Sequence, residues 1–456
     1  MRDKKFNLVI ICGFLSLFSI IAFPAESSVD RSSRKPKNII LFISDGCGFN
    51  HVSAADLYQY GKTASQPYEK FPVMLAMSTY MAGGSYDPNL AWRNFDYLKH
   101  GCTDSAAAAT AISTGVKTYN NAIGLDTAKK PLLHLTQRAE ELGKSTGLVT
   151  SVQFSHATPA GFCAHNESRN NYKEIAREML CYSRIDVIMG CGHPMYDNDS
   201  LPISDPFKYD YDYVGGNSTW RDLNAGSVGG DADGDGIPDP WILIESRKQF
   251  CDLIADPNPP KRVIGICRSA ETLQQKRSGD SHADPFTVPF VSTVPTLEEM
   301  TKAALNVLHE DSDGFFLMVE GGAIDWAAHA HQSGRLIEEQ IDFNKAVQAV
   351  IDWVKQNSSW DQTLVIVTAD HETGLLAGPA SKPGWPPVWS RLTNNGPGKL
   401  PGMEWLGTSH TNSLVPFYAQ GFGSQLFKKL ADRTDPVYGP FLDNTDIANT
   451  IFQLWR

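Results

Sequence analysis

Apolar residues in this chain gather into short unbroken runs. NIILFIS (38–44), STGLVTSV (145–152), DGFFLMV (313–319), TLVIVTA (363–369) and VPFYAQG (415–421) are β-type runs without regular polar alternation. A strand with one wet face alternates; continuous runs predict strands covered on both faces, as in a parallel sheet. Helical spacing occupies the stretches 132–142, 298–309 and 334–356. The pattern predicts an α/β fold, with a mainly parallel central β-sheet flanked by helices on both faces. Four runs give way to chemically active residues: Asp45, Glu320 and Asp370 directly, and His156 a few residues on. Ligands of open α/β sheets bind outside the carboxyl ends of the strands. One cluster is therefore expected there.

Between about 191 and 291 the periodicity fades and Pro, Gly, Asp and Tyr accumulate. This reads as an insertion carried by a single domain spanning 36–456. It is too long for a structureless loop, so short elements are expected inside it. The start is different again. Basic residues, an apolar run from Phe6 to Phe23 and then small residues give the layout of a secretory signal over 1–27. An uncleaved anchor is the competing reading, and the only route to a membrane. Export implies a periplasmic or secreted protein and an oxidising compartment.

After Cys12 the chain carries seven cysteines, an odd set that leaves at least one thiol free or intermolecular. Local spacing alone suggests Cys163 with Cys181 or Cys191, and Cys251 with Cys267. No C-x-x-C pair occurs, which argues against a thiolate zinc site. A net charge of −11 with no basic run beyond the N-terminus argues against nucleic-acid binding.

The candidate chemistry is spread along the whole chain. In EGGAIDWAAHAH, Asp325 and His329 stand four apart, on one face of a helix. TADHETG places Asp370 and His371 at a strand end, ISDGCG places Asp45 at another, and GTSHTN adds His410 from a loop. Together they supply two nitrogen and oxygen donor sets of the kind zinc prefers. Asp45, Thr158 and Glu320 form an all-oxygen set that suits magnesium. In GCTDSAAAATAISTG, Ser105 follows Asp104 at the first turn of an alanine-rich helix, where free N–H groups and the helix dipole favour an anion. A serine there beside a metal is a candidate nucleophile. Arg169, in HATPAGFCAHNESR, offers a planar fork for two phosphate oxygens. Alone, each of these also reads as a surface ion pair or a solvated loop residue. Separately, GGDADGDGIPDPW spaces Asp231, Asp233, Asp235 and Asp239 like a calcium loop, with Gly236 at the turn, but Ile242 holds the twelfth position instead of glutamate.

Six stretches, NIILFISDGCG, TDSAAAATA, HATPAGFCAHNESR, EGGAIDWAAH, TADHETG and the SHT of GTSHTN, resemble the alkaline phosphatase family in order and role. The resemblance implies Ser105 as nucleophile and Arg169 as the phosphate clamp. It implies one zinc on Asp325, His329 and His410, a second on Asp45, Asp370 and His371, and magnesium on Asp45, Thr158 and Glu320. Small phosphate monoesters are the implied substrates, and a homodimer the implied assembly. His156 and Trp326 depart from the enterobacterial pattern, which has aspartate and lysine there, and resemble marine and cold-adapted bacterial branches. Both are expected beside the substrate. Related diesterases and sulfatases fit less well: Thr158, Glu320 and Arg169 are all present, and no C/S-x-P-x-R context surrounds Ser105.

Overall fold

Eleven strands form one sheet in the computed structural model, which describes residues 35–456; the leader expected at 1–27 lies outside the described residues. In chain order the strands are β1 (Asn38–Ser44), β2 (Val73–Ser78), β3 (Ser145–Gln153), β4 (Val187–Cys191), β5 (Ile242–Ile244), β6 (Val263–Ile266), β7 (Phe315–Gly321), β8 (Thr363–Thr368), β9 (Val415–Gly421), β10 (Arg433–Asp435) and β11 (Gly439–Asp443). Across the sheet the order is β10-β11-β2-β9-β8-β1-β7-β3-β4-β6-β5. Neighbours run parallel except at β9, antiparallel to β2 and β8, and β10, antiparallel to β11. The run at 415–421 was grouped with the parallel strands above and proves antiparallel. Its apolar pattern reports burial of both faces, which is blind to direction.

The centre of the sheet is dry. Every residue of β1 and β7 is buried, and each large apolar side chain so placed contributes about 1.5–3 kcal/mol relative to exposure. Six helices matter for the site: α1 (Phe49–Tyr60), α2 (Ser105–Thr114), α3 (Leu297–Leu308), α4 (Ala323–His329), α5 (Ser333–Asn357) and α6 (Thr445–Leu454). The long α5 packs against α1, α3 and α4, while α2 packs against α6 and the short helix Ala157–Ala160.

The segment 191–291 supplies β5, β6 and the helices Asn217–Asn224 and Arg247–Ile254. Trp220, Trp241 and Phe250 join the same core as the central strands. Arg262 lies 4.0 Å over the Trp241 ring, and its guanidinium donates to the carbonyls of Ser183, Ile185, Gly230 and Asp239. One buried cation thus ties several loop carbonyls together where the sequence pattern is weakest.

The cysteine pairings expected from spacing are not formed: all seven described cysteines are free. Cys163 points its thiol at the Pro159 carbonyl, and Cys251 is exposed on its helix. Cys191 instead faces Cys267, sulfur to sulfur at 3.4 Å. Register explains it, since Gly190 pairs with Ile266 across β4 and β6 and the next residues fall opposite each other. Cys47 and Cys102 do not meet; the first lies 3.2 Å from Gln340 Oε1 and the second 3.4 Å from the Leu98 carbonyl.

Candidate active site

Four adjacent strands, β8, β1, β7 and β3, deliver the site from their carboxyl ends. Asp370 and His371 follow β8, Asp45 follows β1, Glu320 closes β7, and His156 and Thr158 lie just beyond β3. Asp325 and His329 come from α4, one step after β7, and His410 pairs in a short antiparallel bridge with Thr373. Sequence neighbours are thus scattered, and sheet order gathers them.

Close approach needs small residues at two points. Gly46 has φ +69°, and a Cβ there would lie 2.7 Å from an Asp325 carboxylate oxygen. Gly161 would drive a Cβ to 2.7 Å from that of Ala109. The alanines of α2 are therefore packing residues, since all of its side chains are buried. Ser105 is the first residue of that helix. Asp104 caps it, accepting from the Ala107 N–H at 3.0 Å. The other Asp104 oxygen accepts from the Asn121 N–H at 3.1 Å and from Arg169 Nη1 at 3.2 Å. One carboxylate thereby positions both the serine and the arginine.

The histidines carry the strongest signal. His329 Nδ1 lies 2.6 Å from the Thr408 carbonyl, and His410 Nδ1 lies 2.9 Å from the Thr103 carbonyl. A carbonyl only accepts, so each Nδ1 bears the proton and each Nε2 presents a lone pair. Those two Nε2 atoms are 3.0 Å apart. They stand 3.4 and 3.6 Å from Asp325 Oδ1. His371 repeats the arrangement. Thr373 Oγ1 donates to Asp325 at 2.6 Å and lies 3.3 Å from His371 Nδ1. Its Nε2 therefore faces Ser105 Oγ at 3.3 Å, Asp370 Oδ2 at 3.2 Å and Asp45 Oδ1 at 3.5 Å. Burial holds His371 well below the ordinary imidazole range, with His410 and His329 adding to the effect. Burial lowers His410 as well. Imidazole lone pairs converging in this way have the disposition that metal ligation requires.

The carboxylates agree. Burial pushes Asp45 well above the usual carboxyl range, reinforced by Asp370, Asp325 and Glu320. Burial likewise raises Asp370 to about 7 and raises Glu320. Asp45 Oδ1, Asp370 Oδ2, Glu320 Oε1 and Thr158 Oγ1 are all buried without a hydrogen-bond partner. Orphaned acceptors concentrated this way are costly unless a cation completes them. Asp45, Asp370 and His371 place one donor atom each within 4.8 Å of one another, as do Asp325, His371 and His410. His371 belongs to both groups, and its ring stacks on His410 at 3.7 Å. Thr158 and Asp45 lie beside Glu320.

His156 and Trp326 meet edge to face at 5.5 Å on the wall of a cavity of about 580 Å³, shared with Ser105 and Arg169. The sequence reading missed Thr150 and Thr373. Thr150 donates to Glu320 Oε2, and the only signal for it is register, because the two residues pair across β3 and β7. Thr373 sits inside TADHETG, where a hydroxyl two residues after His371 carries no signal of its own. In the calcium-like loop, Asp231, Asp233 and Asp239 come together, while Asp235 turns to the Ile237 N–H. Every one of these carboxylates already accepts from an N–H of its own loop.

Comparison with known proteins gives the family. The alkaline phosphatase family model matches residues 36–396. The chain is 33% identical over 377 residues to alkaline phosphatase 3 of Bacillus subtilis (strain 168), covering 79% of this chain and 68% of that protein. It is 30% identical over 434 residues to the alkaline phosphatase of Escherichia coli (strain K12), covering 90% and 86%. Among solved structures, the alkaline phosphatase of the Antarctic bacterium TAB5 superposes with a TM-score of 0.62 at 24% identity, over 92% of this chain and 98% of that one. The cold-active enzyme of a psychrophilic Shewanella gives 0.64 at 23%, over 92% and 100%.

Proposed function

The chain belongs to the alkaline phosphatase family and is a phosphoric monoester hydrolase, and from that premise we propose that it works through a phosphoserine on Ser105. The observation that supports this most is the convergence of three imidazole lone pairs and Asp45, Asp325 and Asp370 on the space beside Ser105 Oγ. One zinc fits Asp325, His329 and His410, a second fits Asp45, Asp370 and His371, and magnesium fits Asp45, Thr158 and Glu320. When bound, such ions acidify a serine hydroxyl and offset charge on a phosphoryl group in transfer.

The chain's own residues do the rest. Asp104 fixes the first turn of α2, so the free N–H groups and positive end of that helix face the phosphoryl oxygens. Arg169, held by the same Asp104, spreads its fork over two of those oxygens. Ser105 Oγ bonds to phosphorus as the ester oxygen leaves, and water then cleaves the phosphoserine. His156 and Trp326 form the wall against which the leaving group lies. The same reading places the protein in the periplasm or outside the cell after loss of 1–27, and pairs it as a homodimer. Among the described residues no helix is long and apolar enough to cross a membrane.

The test is Ser105→Ala, assayed on a monoester with bound metal measured in parallel. The variant is expected to lose at least about a thousandfold in kcat/KM while retaining its metal. Full activity in that variant would remove Ser105 from its role, and a clear preference for a diester analogue would overturn the monoester chemistry.

A further inference from the structure

Three cations line the cavity that holds Ser105: Arg169, Lys276 and Arg277. Two already have counter-ions. Arg169 is bound to Asp104 at 3.2 Å, and Arg277 to Glu338 at 2.9 Å with both side chains almost fully buried. Lys276 touches only Glu271, at 3.7 Å, and both partners are more than a third exposed. An ion pair of that kind contributes little and is readily exchanged. Lys276 is thus the cavity's uncommitted positive charge, in a chain whose net charge is −11.

Its position is fixed from below. The Lys276 N–H donates to Thr272 Oγ1 at 2.8 Å. Next to it, Arg277 donates to the Pro289 carbonyl at 3.0 Å as well as to Glu338 of α5. The segment therefore cannot drift, while the Lys276 ammonium projects to 5.6 Å over the Trp326 ring, within cation–π reach. Trp326 in turn meets His156. Beside Lys276, Gln275 is buried, donates to Gln332 at 2.7 Å and keeps Oε1 without a partner. An ammonium next to a free acceptor, in the cavity that also holds the arginine, is the chemistry that recognises a second anionic group carrying or flanked by a hydroxyl.

We propose that Lys276, presented by the 191–291 segment over Trp326, is a specificity-determining residue that favours phosphate monoesters whose leaving group bears a second anionic group. This rests on the reading of the Ser105 cavity as the active site. It also assigns a task to the insertion: it carries a cation to the rim of a site whose own α4 helix offers the neutral Trp326.

The experiment compares propane-1,3-diol bisphosphate with propane-1,3-diol monophosphate, which share a leaving oxygen, in wild type, Lys276→Gln and Lys276→Arg. The readout is the ratio of kcat/KM values, corrected for the two equivalent esters. Lys276→Gln is expected to lower that ratio roughly fivefold. Lys276→Arg should preserve most of it, and added salt should erode it in wild type. A carboxylate in place of the second phosphate should retain part of the preference. An unchanged ratio in Lys276→Gln would overturn the proposal, as would equal losses in the Gln and Arg variants, which would mean shape and not charge. Ser105→Ala run on both substrates separates the two levels: activity surviving there strikes the active-site reading, whatever Lys276 does.

Discussion

Single hydroxyls hold much of this site in place. Thr150 is the clearest, because its Oγ1 donates to the buried Glu320 carboxylate, whose other oxygen has no protein partner. Thr150→Val keeps the shape and removes the donor. Groups that orient a metal ligand typically account for a ten- to hundredfold change in metal affinity. Thr150→Val is therefore expected to bind magnesium roughly tenfold more weakly. Activity should decline on dialysis and return with added magnesium, whereas loss that magnesium does not restore would mean the threonine serves the fold instead. Most of the proposed ligands were legible in the sequence because they follow a strand end or recur at helical spacing, while His410 and Thr158, in a loop and in a short helix beyond β3, became so only through the motifs around them. Thr150 was not, since it sits inside an apolar run and acquires its partner only through the pairing of β3 with β7. Lys276 was equally silent, being one lysine in an aperiodic segment until the fold brought it over Trp326.

At the scale of elements, α5 carries an unusual load of buried acid. Glu339 is buried with one oxygen unpartnered. Burial first, then the charges of Asp342 and Glu338, raise it to about 8, with Arg277 acting against them. Its ordinary value is 4.5, so the folded state holds the proton more tightly than the unfolded chain does. The resulting stability is complete below pH 4.5 and is lost as pH rises through about 8, at about 1.4 kcal/mol per pH unit in between. Glu339→Gln stays neutral throughout. The wild type's melting temperature should accordingly fall relative to the variant by roughly one to two degrees per pH unit between 5 and 8. Parallel curves would show that Glu339 is ionised in the fold. The helix itself was readable from its spacing at 334–356, as were the central strands. The antiparallel direction of β9 was not, because burial of both faces produces the same apolar run in either direction. The edge strand β5 and its neighbour β6 were hidden for a different reason: they are only three and four residues long, too short for periodicity to register.

For the whole molecule, the site is both its chemistry and a fault in its interior. Asp45, Glu320 and Asp370 lie at or next to the ends of the central strands β1, β7 and β8, fully buried and with orphaned oxygens. An apolar core of this size can tolerate such a cluster, yet without cations each carboxylate must either stay protonated or repel its neighbours. Metal binding and folding are thus linked through mass action, and an ion at a thousand times its Kd stabilises the native state by about 4 kcal/mol. Two tightly held ions, against the large unfolding entropy of a chain this long, correspond to a melting shift of roughly 5–10 °C. Chelation at pH 8 is expected to lower the melting temperature by that amount, and zinc with magnesium to restore it in a concentration-dependent way. The pH matters to the sign. As pH falls below about 7 the folded apo protein takes up the proton that burial makes Asp370 retain, so the apo protein loses less there and the gap between apo and loaded forms should narrow. A gap that is absent at pH 8, or that widens on acidification, would show that the buried carboxylates find their compensation within the protein and that the cluster is not a metal centre.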